Sequence, residues 1–90
     1  MSAVGFQAWS ERVAALTRGL CDDGPPPPVC RVAIRRRFGA AVQADDRWLV
    51  SVECGNTRFA MWGEDADRLM ARFEADLRAR VAASGREVPA

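Results

Sequence analysis

WLVSVECGNTRFAMW, residues 48–62, alternates large apolar side chains with small or polar ones on both sides of a Gly-Asn pair, and a period of two marks extended strands. Gly55-Asn56 is a favoured two-residue hairpin turn. Hinging the chain there sets Cys54 opposite Thr57, Val52 opposite Phe59 and Val50 opposite Met61 on one face. The other face then pairs Glu53 with Arg58, Ser51 with Ala60 and Leu49 with Trp62. A single alignment satisfies both the apolar match and the charge match, which is what a real hairpin requires.

Upstream, Cys30, Val32, Ile34, Phe38 and Val42 continue the even-numbered inward set of Trp48, Val50, Val52 and Cys54. Arg36 interrupts this set, and Gly39 suggests a bulge or bend. The expectation is one bent strand over about residues 29–44, turning at Asp45 to Arg47, with Val42 opposite Val50 and Phe38 opposite Cys54. A break at Gly39 into two short strands is the alternative.

Both flanks switch to helical spacing. Phe6, Trp9, Val13, Leu16 and Leu20 step by three and four, predicting a helix over about residues 3–20 with Ser2 as its cap and Cys21 to Gly24 as its stop. Ala66, Leu69, Met70, Phe73, Leu77 and Val81 repeat the pattern, with Glu64, Asp65 and Asp67 at the start, where the macrodipole favours acids. Glu74 with Arg78 and Asp76 with Arg80 fall at i,i+4, and Ser84-Gly85 ends this helix. Pro25 to Pro28 form a stiff polyproline spacer between the first helix and the strands.

The predicted fold is a single α+β domain over residues 1–85 in α-β-β-β-α order, followed by a flexible tail at 86–90. Two amphipathic helices cover one face of a three-stranded antiparallel meander. The expected core is Phe6, Trp9, Val32, Ile34, Val50, Val52, Phe59, Leu69, Phe73 and Leu77. This element order resembles that of the double-stranded RNA-binding domain, but in topology alone. That family grips phosphates with a Lys-rich start to its last helix, where this chain carries Glu64, Asp65 and Asp67.

Composition narrows the chemistry. No histidine, lysine or tyrosine occurs, which removes the commonest general base, Schiff-base amine and phenolic acid. All the basic residues are arginine while Ile34 and Asn56 are the sole members of their types, a bias that codon usage explains, so the missing lysine carries no functional meaning. Cys21, Cys30 and Cys54 lack Cys-x-x-Cys spacing and a histidine partner, so no zinc site and no cofactor are expected. An odd cysteine count without a secretory signal predicts reduced thiols, with Cys30 and Cys54 as inward apolar fillers and Cys21 the accessible thiol. The acidic pairs at Asp22/Asp23, Asp45/Asp46 and Asp65/Asp67 fall at a helix stop, a turn and a helix cap, where Asp serves the backbone. Met1 to Trp9 shows neither a basic leader nor a continuous apolar run, so a cytoplasmic location and no membrane contact are expected.

One surface remains to be explained. Arg31, Arg35, Arg37 and Arg58 point away from the inward set and share a sheet face with Leu49 and Trp62. Arginine on solvent-facing strands is ordinary, but Arg and Trp are also the residues enriched at binding hot spots. The expectation is a small non-enzymatic protein-binding module, an adaptor, small chaperone or inhibitor, using these six residues on a protein partner or on a second copy as a homodimer. A nucleic-acid-associated regulator using the same arginines on phosphates ranks below it, and a small enzyme subunit third.

Overall fold

A computed structural model describes residues 3–21, 29–39, 41–43 and 47–84, with side chains from residue 5 onward. Helix α1 spans Ala3–Leu20, strands β1, β2 and β3 span Cys30–Arg36, Trp48–Cys54 and Thr57–Gly63, and helix α2 spans Ala66–Ser84. The strands form an antiparallel sheet in the order β1-β2-β3. This is the predicted α-β-β-β-α arrangement. Ser2, the proline run at 25–28, the acids at 22–23 and 45–46, and the tail at 86–90 lie outside the described residues.

The β2-β3 hairpin has the predicted register at every position, from Cys54 opposite Thr57 to Leu49 opposite Trp62. Gly55 takes a φ of 58° while no non-glycine residue described has a positive φ, so the turn places its left-handed residue first, as a type II′ hairpin does.

The first strand corrects the expectation. It ends at Arg36, and β1 pairs Ile34 with Val50 and Cys30 with Cys54, eight positions away from the predicted Val42 and Phe38 partners. Neither a bent strand to residue 44 nor a second short strand appears among the described residues of 37–43. The Arg37 amide donates to the Arg47 carbonyl at 2.7 Å, closing the β1-β2 connection, and Gly39, at φ 128°, opens a turn in which its carbonyl accepts from the Val42 amide at 3.2 Å. Beyond the strand the alternation no longer governs side chains. Phe38, expected inside, is 80% exposed and lies against the Arg36 guanidinium, 5.3 Å from its ring centroid. Arg36 also stands over Trp48 at 6.0 Å, so the charge that broke the inward pattern is held over aromatic rings at the strand end.

The new register has a covalent consequence. Cys30 and Cys54, directly opposite with Cα atoms 4.3 Å apart, are joined as a disulfide, which overturns the expectation of reduced thiols. Cα atoms this close mark a non-hydrogen-bonded cross-strand pair, where side chains approach most nearly. Such bonds persist mainly in oxidising compartments, so the thiol argument for a cytoplasmic address falls away. Cys21 is half-buried and its Sγ donates to the Cys54 carbonyl at 3.1 Å.

The core lies between the sheet and the helices. α1 packs on β1 and β2, and α2 on β2 and β3, while the helices also touch each other. Trp9, Val13, Leu16, Val50, Val52, Leu69, Phe73, Leu77 and Val81 are buried, each worth about 1.5–3 kcal/mol for the larger aliphatic and aromatic side chains. Phe6, Val32, Ile34 and Phe59 are only partly buried at its margin. Trp9 contacts both Phe6 and Phe73, with ring centroids 5.7 and 6.5 Å away. Thr17, fully buried, satisfies its hydroxyl on the Val13 carbonyl at 2.8 Å. Gly63 lets α2 turn back closely, because a Cβ there would lie 3.1 Å from Leu69 Cδ1.

The helices are clamped by charge. Arg12 of α1 donates to both Glu74 oxygens through Nε, and to Oε1 through Nη2 at 3.1 Å, while Arg78 Nη2 reaches Oε2 at 2.8 Å. Burial pushes the Glu74 carboxyl upward, but hydrogen bonds from Arg12 and Arg78 and their charges outweigh it, holding the group below its ordinary value. The Glu74-Arg78 and Asp76-Arg80 pairs follow the i,i+4 spacing, the latter at 2.9 Å. Asp65 caps α2, its Oδ1 accepting from the Arg68 amide at 2.9 Å.

Candidate protein-docking face

Each strand of a sheet sends alternate residues to opposite sides, so the burial of Val50, Val52 and Cys54 under the helices leaves the opposite parity on the outer face. The register arranges that face in three rows. Arg31, Glu53 and Arg58 form one, Ala33, Ser51 and Ala60 the middle one, and Arg35, Leu49 and Trp62 the third. The middle row has short side chains and the outer rows long ones. A shallow hollow of about 260 Å³ results over β1 and β2, with Arg31, Arg35, Leu49 and Arg58 on its rim.

Of the six residues expected at this site, the structure brings five together on the sheet. Arg37 is exposed one residue beyond the end of β1 and stands at the margin. Leu49 is half-buried, and Trp62 beside it keeps 49% of its surface in solvent, against 3% for Trp9 in the core. Arg58 meets Glu53 at 3.6 Å, a contact between two well-exposed side chains that contributes little. Among the described residues Arg31, Arg35 and Arg37 have no acidic partner. The sheet face therefore carries three guanidinium groups against one carboxylate, with an apolar step of Leu49 and Trp62 at one end.

Among the described residues no group of three or more His, Cys, Asp or Glu gathers as a metal cluster, and no helix is long and apolar enough to cross a membrane. The sequence reading missed Arg47, Arg68 and Arg72, which line a cleft at the edge of this face together with Trp62. Arg68 and Arg72 lie on α2, and the turn from β3 into α2 brings them to the same cleft as the tryptophan.

No family model, curated protein or solved structure matches this chain.

Proposed function

We propose that the chain is a small non-enzymatic protein-binding module that docks its uncovered sheet face on an acidic protein surface. The observation carrying this reading is Trp62, about half in solvent, directly across from Leu49 and in line with Arg35, which has no acidic partner among the described residues. Holding an indole in water forgoes the hydrophobic gain that burial brings, and a partner recovers it. Tryptophan and arginine are the side chains that most often dominate interface energetics, and an open sheet offers them a firm platform.

Charge selects the kind of partner. Two copies meeting face to face would set Arg31, Arg35 and Arg58 against the same cations, with only Glu53 to offset them, whereas an acidic surface gains from every one of the three. The arginines speed encounter, and the Leu49-Trp62 step slows release.

The experiment is capture from host extract with wild type, Trp62→Ala and Arg35→Glu, with light scattering on the purified chain. An acidic protein retained by wild type and lost with both variants supports the reading. A stable dimer by itself transfers the face to self-association, and capture that survives both variants overturns the assignment.

A further inference from the structure

Where β3 ends and α2 begins, an open cleft of about 920 Å³ is lined by Arg47, Trp62, Glu64, Asp65, Arg68 and Arg72. The arginines of α2 divide into two sets. Arg78 and Arg80 each pair with the carboxylate one turn before them, at 2.8 and 2.9 Å. Arg68 and Arg72, also one turn apart, have no acidic partner among the described residues and face each other's charge instead. Their place in the first half of α2 also opposes the macrodipole. Arg47, just before β2, adds a third cation to the same cleft. Such a cluster costs stability in isolation, and an anion among the three groups removes the cost.

The acids nearby offset it only in part. Asp65 is committed to the α2 cap through the Arg68 amide. Asp67 lines a different groove, between the two helices with Trp9 and Arg12. Among the described residues Glu64 and Asp65 line the cleft with the three guanidinium groups, which leaves one cation in excess.

The geometry points to a nucleotide site, with the base against the Trp62 indole and the phosphates among Arg47, Arg68 and Arg72. Aromatic stacking suits any base, and guanidinium forks match phosphate oxygens. The cleft volume falls in the range of about 300–1,000 Å³ found for small-ligand sites. A free mononucleotide and one unit of a single strand share this chemistry. The site is separate from the proposed docking face except for Trp62, which borders both.

The test is calorimetric titration of the folded chain at low salt with ADP, adenosine, pyrophosphate, a short single-stranded oligodeoxynucleotide and a hexaglutamate peptide. ADP binds about tenfold more tightly than adenosine or pyrophosphate, since each lacks one of the two contacts. The double variant Arg68→Ala/Arg72→Ala and the single variant Trp62→Leu each weaken ADP by about tenfold while keeping the wild-type melting temperature within a few degrees. An oligonucleotide that outbinds ADP with the same dependence on both variants identifies the source as a polymer, and one that binds less tightly identifies a free nucleotide. The proposal is overturned if neither ligand binds, if binding survives the variants, or if pyrophosphate or hexaglutamate matches ADP. Arg35→Glu should abolish partner capture and spare ADP binding, and the Arg68/Arg72 variant should weaken ADP while sparing capture, so the two readings fail independently.

Discussion

Trp9 donates its indole Nε1 to the carbonyl of Met70 at 3.0 Å, tying the middle of α1 to α2 through a buried hydrogen bond between residues 61 positions apart in the chain. That bond lets a side chain with a polar edge be 3% exposed, and its ring then fills the space between Phe6 and Phe73.

The two tryptophans Trp9 and Trp62 should therefore behave oppositely. Trp9→Ala removes a core ring and is expected to cost about 3–5 kcal/mol, whereas Trp62→Ala, on the open face, should change stability by about 0.5 kcal/mol or less. Urea denaturation of both variants checks this, and similar losses at the two positions would place Trp62 in the core.

Glu74 gives the fold an acid-sensitive joint. Its carboxyl is held below the ordinary value of 4.5 by Arg12 and Arg78, so its contribution is complete above that value and is lost as pH falls through the lower, folded one. Thermal midpoints followed from about pH 5 to about pH 3 should fall more steeply for wild type than for Glu74→Gln, which has no carboxylate to protonate. Parallel curves would assign the acid sensitivity elsewhere.

Reduction of the Cys30-Cys54 bond frees the constraint between β1 and β2 in the unfolded chain. A cross-link closing a loop of this separation, 24 residues, typically contributes about 2–4 kcal/mol, so dithiothreitol should lower the denaturant midpoint accordingly. Midpoints unchanged by reductant would show that strand pairing alone holds the two residues together.

Gly55, at φ 58°, occupies a conformation that an L side chain enters at a cost of about 1–2 kcal/mol. Gly55→Ala should lose that much, while Asn56→Ala, at a position without positive φ, should lose less. Equal effects would indicate a turn of another type.

The hairpin and both helices were legible because each is specified by neighbours in sequence. The two-residue turn at Gly55 and Asn56 leaves no freedom in register, so Val52 could only meet Phe59 and Leu49 only Trp62. The pairing of β1 was not legible, because the connection from Arg37 to Arg47 is long enough to permit several registers. An error of eight positions is even, and it kept every strand residue on its proper face. That is why Arg31, Arg35 and Arg58 were placed on the outer face while the disulfide was missed.

Side-chain periodicity by itself determined the element order, the sheet face that Trp62 and the strand arginines occupy, and the i,i+4 pairs on α2, since all three are set within a turn or a strand pair. Only the tertiary structure decided that Cys30 meets Cys54, that Arg12 grips Glu74 from the other helix, and that Arg47, Arg68 and Arg72 gather beside Trp62. Those contacts join segments distant along the chain, and their distances depend on how the helices settle on the sheet, which the packing of the shared core sets and no local pattern encodes.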